Sequence, residues 1–501
     1  MVKRALIALS LMFSAPALAE EPPLQQQVEA VLATAPQGTR FGLLVVDENG
    51  REVIAINPDG RFIPASNTKL FTTAAAYAVL PGMDQPDVAG GTQVALVPVR
   101  AQEPNMYVGL TPDGPLPSGP IDVWLSGRGD ARMSSAMDCV TDCLAALADA
   151  VAARTKRVHD IVGDDSFWPD QRWSQGMSWN NIGTDDGTAA GALNLDDNAL
   201  SITVLPWTEG GPPAVEMPPY YKLDNQATTG PAGGKLTLAI ERPVNGDVVR
   251  LYGSIPADSK GWATRVGIDD PAHYAAWIFR AMLEARGVKV TGKIIVNHRG
   301  VQAWDQPAPL DKLGTPISIG FPPLATLTPP PLADDVVTIN KDSNNLHAQV
   351  LLRRVGDARG TGSDGWAIWE LGSVLEKAGV PRTGYDFADG SGMSTYNRVS
   401  PRAVVALLRW GAAQPWGAAW RASFPVGGLD GTLTRRFKGT ALEGKIWAKT
   451  GTLNATNALS GHFRTASGRE FTFAFFANDV PGSVSATPMM DAALVLIAAQ
   501  N

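Results

Sequence analysis

Residues 20–83 and 320–501 share one texture, and residues 84–319 have another. Near the start, apolar runs at residues 41–46 and 53–56 flank Glu48-Asn49-Gly50-Arg51. Asn-Gly between two such runs predicts a tight β-hairpin. Residues 70–80 continue as an alanine-rich helix expected to be buried. Near the end, residues 345–355, 367–378 and 401–410 space their apolar side chains for helices. Residues 445–449, 459–464 and 470–478 read as antiparallel strands, and Thr487-Pro488 caps a last helix through residue 499. The middle is different: short strands at 106–110, 121–125, 158–163, 199–205, 235–240, 248–252 and 288–297, helices at 139–153 and 271–286, and a loop-like stretch at 168–194. Proline-rich residues 321–335 read as the linker back. Two distant segments of one character complete a single packed unit only if the chain between them loops out. Residues 20–83 and 320–501 are therefore expected to form one discontinuous domain, with residues 84–319 as one or two inserted lobes.

Composition narrows the class without naming a function. With 45% hydrophobic and 18% charged residues the chain is ordinary for a globular protein. Its net charge of −7 gives no reason to expect nucleic acid or an anionic membrane as partner. Lys3 and Arg4 precede an apolar run at residues 5–13, and Ala17-Leu18-Ala19 stands before Glu20, so residues 1–19 read as a cleavable signal peptide. No later stretch reaches the roughly 18 apolar residues of a membrane span. A soluble exported protein with no transmembrane anchor is expected, in a bacterial periplasm. Export favours a disulfide between Cys139 and Cys143, four positions apart, with two reduced thiols as the alternative. The five histidines are scattered and no His-Glu-x-x-His or Cys-x-x-Cys occurs, so no metal site is expected.

Three short motifs carry the chemistry. Pro64-Ala65-Ser66-Asn67-Thr68-Lys69 puts Ser66 and Lys69 one turn apart on a helix face, near its N-terminus. There unpaired N–H groups favour developing negative charge, and a neutral Lys69 amine could take the Ser66 proton. Ser343-Asn344-Asn345 opens a predicted helix, and Lys449-Thr450-Gly451-Thr452 ends a predicted strand. Ser-x-Asn alone is weak, since Ser178-Trp179-Asn180 also matches it. Ser-x-x-Lys, Ser-x-Asn and Lys-Thr-Gly in this order resemble the penicillin-binding and serine β-lactamase superfamily.

Further blocks narrow the resemblance. Ala388-Asp389-Gly390-Ser391-Gly392-Met393-Ser394, Gly428-Leu429-Asp430-Gly431-Thr432-Leu433, Gly127-Arg128-Gly129-Asp130, Val162-Gly163-Asp164-Asp165-Ser166 and Gly253-Ser254-Ile255-Pro256 are similar to blocks of the penicillin-binding protein 4 family. That family comprises D-alanyl-D-alanine carboxypeptidases and endopeptidases of peptidoglycan. The resemblance implies an α+β fold: a transpeptidase domain with an antiparallel sheet flanked by helices, carrying two smaller β-rich inserted domains. It further implies that Ser66 attacks the bond between the terminal D-alanines and that Lys69 is the base, its neutral form favoured by burial and by the nearby cation Lys449. Ser343 would relay the proton, and Asn345 would hold the substrate amide and Lys69. Lys449 and Thr450 would bind the terminal carboxylate, Gly451 would let the substrate backbone lie close, and the N–H groups of Ser66 and Thr452 would form the oxyanion hole. No cofactor is implied. The partners implied are peptidoglycan stem peptides, with β-lactams as covalent inhibitors.

One stretch departs from the pattern. Relatives that act on diaminopimelate peptides carry an acidic residue after a tryptophan in the inserted lobe. Here Trp179-Asn180-Asn181-Ile182 puts a neutral Asn181 in that place, with Asp185 and Asp186 as possible substitutes. Asp389 and Ser391 are expected to shape a Gly-rich turn rather than react. His347 is expected as a packed or exposed helix residue, and Trp168, Trp173 and Trp179 as inter-lobe packing, with sugar stacking as the alternative. A β-lactamase and a low-turnover penicillin-sensing module share the same motifs.

Overall fold

Residues 470–478 run Glu-Phe-Thr-Phe-Ala-Phe-Phe-Ala-Asn and are buried on both faces, which suits a strand at the centre of a covered sheet. The computed structural model describes residues 22–99, 111, 113–307 and 320–501. The expected signal peptide at 1–19 and the expected strand at 106–110 lie outside them. Five strands form the antiparallel sheet: β1 (Arg40–Val46), β2 (Glu52–Ile56), β3 (Ile446–Leu453), β4 (Thr456–Arg464) and β5 (Glu470–Asn478), in the order β2-β1-β5-β4-β3. The β1–β2 hairpin turns at Gly50 (φ +85°), and the Asp47 carboxylate accepts from the N–H groups of Asn49 (3.0 Å) and Arg51 (2.9 Å).

Strand alternation divides the side chains between two cores. Phe471, Phe473 and Phe475 join Leu43, Val45 and Phe463 beneath the helices Leu24–Leu32 and Thr487–Ala499. The N-terminal helix of that pair had no counterpart in the sequence expectations. Ala474 and Phe476 face the other way, with Leu44 and Val46, towards α1 (Thr68–Val79), α2 (Leu332–Lys341) and α3 (Asn345–Asp357).

The middle of the chain has its own core. Its largest sheet runs Ile294–Arg299, Ile161–Pro169, Ile121–Ser126, Gln93–Pro98, Ala325–Thr326. The first three strands are parallel and the last two antiparallel, and the helices Leu144–Arg154 and Pro271–Ala285 bury residues in the same core. Smaller sheets gather around Ala199–Leu205 and Val248–Tyr252.

Several element boundaries differ from expectation. The helix expected from residue 139 begins at Leu144, because Cys139 and Cys143 are joined by a disulfide and Asp142 sits at φ +59°. The run at 158–163 is one strand only from Ile161, and it extends to Pro169. The strand expected at 235–240 is confined to Ala239–Glu241. The strand expected at 288–297 divides into Lys289–Val290 and Ile294–Arg299. Between them Gly292 lies where Asp160 Oδ1 occupies the Cβ position. The linker at 321–335 already contains the strand Ala325–Thr326, and α2 opens at Leu332 behind Pro331.

Two arginines of α3 fasten it to the inserted region. Fully buried Arg353 donates to the carbonyls of Gly362 (2.8 Å) and Pro169 (2.7 Å) and lies 4.8 Å over the Trp168 ring. Arg354 meets both Asp87 oxygens at 2.9 Å. Removing one partner of such a buried pair costs about 3–5 kcal/mol, because the other charge is left unpaired.

Candidate active site

The serine enters on a strained turn. A 3-10 turn, Ala65–Asn67, leads into α1, and Ala65 takes φ +47°, unusual for a residue with a Cβ. Lys69, one turn along, is fully buried. Its Nζ lies 2.8 Å from Ser66 Oγ, 2.5 Å from Asn345 Oδ1 and 2.7 Å from the Ser391 carbonyl. Asn345 is the first residue of α3, where the Asn344 side chain caps the helix by accepting from the His347 N–H at 3.0 Å. Ser343 precedes it at φ +64°, a second non-glycine in the left-handed region within this site.

β3 closes the other side. Lys449 is fully buried, and its Nζ donates to Ser343 Oγ (2.9 Å) and to the Thr450 carbonyl (3.1 Å). Thr450 Oγ1 donates to Thr432 Oγ1 at 2.7 Å, and Asn67 Nδ2 donates to the Lys449 carbonyl at 2.9 Å, tying the serine turn to the strand. Lys-Thr-Gly lies within β3 rather than at its end. Gly451 was expected to make room for substrate. The space its Cβ would fill holds Pro64 O at 2.8 Å and Ser66 N at 3.1 Å, so its missing Cβ also lets β3 lie close against the serine turn.

A cavity of about 1040 Å³ opens over these groups, lined by Ser66, Ser343, Asn345, Thr450, Gly451 and Thr452. Its far wall comes from the inserted region and includes Asn181, Asp186 and Trp179. Trp179 is 77% exposed, so it stands on the wall instead of packing between lobes. Trp168 is buried beneath Arg353, and Trp173 Nε1 donates to the Gly187 carbonyl at 3.0 Å.

The electrostatics set the protonation of the two lysines. Burial pulls Lys69 down to about 7, against Asp389 and Asp186, which favour its ammonium form. Burial, then the charge of Lys69, pushes Lys449 well below the usual lysine range. The repulsion between the two ammonium groups is mutual and disfavours charging both at once. Two carboxylates support a charge on Lys69, whereas only Asp342 supports one on Lys449.

The Gly-rich turn contributes through its backbone. Asp389 accepts from Ser391 Oγ (2.6 Å) and from the N–H groups of Gly392 (3.0 Å), Met393 (2.8 Å) and Ser394 (3.1 Å), which holds the Ser391 carbonyl against Lys69. His347 is buried between Asp335 (2.7 Å) and Asp197 (3.0 Å). Burial opposes its charge, yet the hydrogen bonds to Asp197 and Asp335 raise it to about 9. It reaches none of the reacting groups and braces the start of α3. Sequence reasoning missed Asn67, Thr432 and the Ser391 carbonyl as neighbours of the site. The Asp-Gly-Ser-Gly block was the one signal for the last, and a motif does not show which carbonyl a turn will present.

A hydroxyl beside a buried amine of lowered basicity, on a helix packed against the edge strand of an antiparallel sheet, defines the penicillin-binding, serine β-lactamase-like class. The chain belongs to the D-Ala-D-Ala carboxypeptidase 3 (S13) family, whose sequence profile matches residues 24–501. It is 33% identical over 503 residues to the D-alanyl-D-alanine carboxypeptidase of Actinomadura sp. (strain R39), covering 95% of this chain and 86% of that one. It is 23% identical over 481 residues to the D-alanyl-D-alanine carboxypeptidase DacB of Haemophilus influenzae, covering 94% and 91%. The crystal structure of penicillin binding protein 4 (dacB) from Haemophilus influenzae has the same fold, with a TM-score of 0.72 at 20% identity over 93% of this chain and 97% of that one. Its complex with a novel β-lactam matches with a TM-score of 0.67 at 19% identity over the same shares. Among the described residues no helix is long and apolar enough to cross a membrane.

Proposed function

We propose that this chain is a periplasmic serine DD-peptidase, a carboxypeptidase on the D-Ala-D-Ala end of peptidoglycan stems that also cleaves D-Ala-diaminopimelate cross-links. The observation that carries the reading is Lys69, buried and titrating near 7, with its Nζ 2.8 Å from Ser66 Oγ on the floor of a large cavity. Near neutral pH about half of such an amine is unprotonated. It takes the Ser66 proton as Oγ attacks the penultimate carbonyl, and an acyl-enzyme forms with loss of D-Ala. The oxyanion meets the N–H groups of Ser66 and Thr452. Ser343, hydrogen-bonded to Lys449 at 2.9 Å, relays the proton taken by Lys69 to the leaving amine, and water then hydrolyses the acyl-enzyme and returns Ser66 its proton. A substrate carboxylate beside Lys449 and Thr450 adds a counter-charge to that of Asp342 and favours the ammonium form of Lys449, so recognition and charging are coupled.

Asn345 orients Lys69 and the substrate amide, and Asn181 on the far wall meets the third stem residue. β-Lactams acylate Ser66 through the same geometry. The name of the Actinomadura relative supports the carboxypeptidase reading, and the cavity volume supports room for a second stem. The test is release of D-Ala from pentapeptides with diaminopimelate or lysine at position three, alongside cleavage of a cross-linked dimer. Wild type is expected to release D-Ala and Ser66→Ala to release none; equal release from both overturns the reading.

A further inference from the structure

We propose that Asp186 is a positioning residue for acylation: its carbonyl turns the Asn345 amide towards Lys69, and its carboxylate faces the same amide from the cavity wall. The inference rests on Lys69 acting as the base. Asp186 belongs to the inserted region, 159 positions before Asn345, yet its carbonyl accepts from Asn345 Nδ2 at 2.9 Å, with Oδ1 3.4 Å from the same nitrogen. A side-chain amide has one donor end and one acceptor end. Fixing the Nδ2 end on Asp186 leaves Oδ1 directed at Lys69 Nζ, 2.5 Å away.

The loop that holds Asp186 is braced on both sides. Thr184 Oγ1 donates to the Asn181 carbonyl at 2.7 Å, Trp173 Nε1 donates to the Gly187 carbonyl at 3.0 Å, and a Cβ on Gly187 would fall 2.1 Å from Asn181 O. The carbonyl of Asp186 is thus placed before any substrate arrives, as preorganised chemistry requires.

The charges facing Lys69 are few. Asp389 approaches from the Gly-rich turn, Lys449 from β3 and Asp186 from the inserted loop, while α3 contributes the neutral Asn345. Asp389 is engaged by Ser391 Oγ and three backbone N–H groups, which draw on its charge. Asp186 makes no ion pair among the described residues and has Asp185 beside it. Its side chain opens onto the cavity, so water screens it in the free enzyme, and a bound substrate that expels that water strengthens its field. A buried lysine with no such support would be neutral but a feeble base. A base works best with its pKa near the operating pH, and Asp186 helps to bring Lys69 there.

The test compares Asp186→Asn, which keeps the backbone carbonyl and side-chain volume, with Asp185→Asn, which removes the neighbouring charge. Lysines carrying 13C at Cε are titrated by NMR, with the Lys69 signal assigned by its loss in Lys69→Arg. The acylation rate with benzylpenicillin, which has no ammonium group, is followed over the same pH range. In Asp186→Asn the Lys69 midpoint and the acid limb of acylation are expected to move together to lower pH by at least about 0.3 unit. In Asp185→Asn both should stay within that margin. A Lys69 midpoint unchanged in Asp186→Asn overturns the proposal. So does a defect confined to KM for stem peptides, which would make Asp186 a substrate contact. If the midpoint moves but wild type is never acylated, the proposal about Lys69 stands and the DD-peptidase reading falls.

Discussion

Gly392→Ala should slow acylation of Ser66 about 100-fold in a protein that still folds. Gly392 has φ +91°, and a Cβ there would lie 1.9 Å from Ala65 O, 2.4 Å from Ala65 C and 2.9 Å from Ser66 N. Real Cβ contacts stay beyond about 3 Å, so roughly 1 Å must be absorbed by the peptide that precedes the nucleophile. That peptide has little slack, since Ala65 already sits at φ +47°. Left-handed strain costs about 1–2 kcal/mol and overpacking about 1–3 kcal/mol, so a stability loss of about 3 kcal/mol is expected. A misplacement of about 1 Å at a reacting group costs on the order of 10²-fold in rate. The Ser66 N–H, an oxyanion donor in this account, moves with it. The assay is the second-order rate of acylation by a fluorescent penicillin, with urea unfolding in parallel. Gly468→Ala is the control: Gly468 also has positive φ (+89°) but nothing lies within 4 Å of its Cβ position, so it should lose stability and keep its rate. If Gly392→Ala acylated within about threefold of wild type, placement of Ser66 by the Gly-rich turn would be refuted.

Other expectations follow from single contacts. His347 is raised to about 9 from an unfolded value near 6.5, so its stabilisation is complete below about 6.5 and is lost as pH rises through 9. The stability gap between wild type and His347→Gln, read from urea unfolding, should narrow by a few kcal/mol between pH 6 and pH 10; a constant gap would count against a charged His347. Lys449→Ala should abolish discrimination between a peptide ending in D-Ala and its C-terminal amide, costing on the order of 10–100-fold in kcat/KM on the acid. Retained discrimination would remove Lys449 from carboxylate recognition. Replacing both Cys139 and Cys143 by serine opens a loop of sequence separation 4, which should cost about 2 kcal/mol at most and leave acylation unchanged.

The parts of the site that read clearly from sequence were those whose chemistry lies in side chains at short spacing. Ser66 and Lys69 share a helix face, and Ser343 and Asn345 flank a helix cap, so local geometry brought each pair together. The contribution of Ser391 could not be read, because Lys69 uses its carbonyl and every residue has one. Asp186 was one of two possible substitutes near Asn181, in an irregular stretch with no periodicity to place it. Only the fold shows that it faces Asn345. The contact of Gly451 with the Pro64–Ser66 backbone could not be read from the sequence, because it depends on how β3 packs against a segment distant in the chain. In the fold, β4 and β5 were legible as apolar runs of strand length, and Pro271–Ala285 from its helix-start signal. The parallel pairing of Ile161–Pro169 with Ile121–Ser126 and Ile294–Arg299 was not, because partner choice between distant strands depends on connections that apolar patterning does not encode.

Intact-mass spectrometry of the protein mixed with benzylpenicillin, followed from seconds to hours with peptide mapping, tests the central claim most directly. The account predicts a single adduct on the peptide containing Ser66, persistent over minutes and absent in Ser66→Ala. An adduct at another residue, or none, would contradict the assembly of Ser66, Lys69, Ser343 and Lys449 as one acylating centre. An adduct that vanished within seconds while the drug was consumed would make the protein a β-lactamase and refute the DD-peptidase reading.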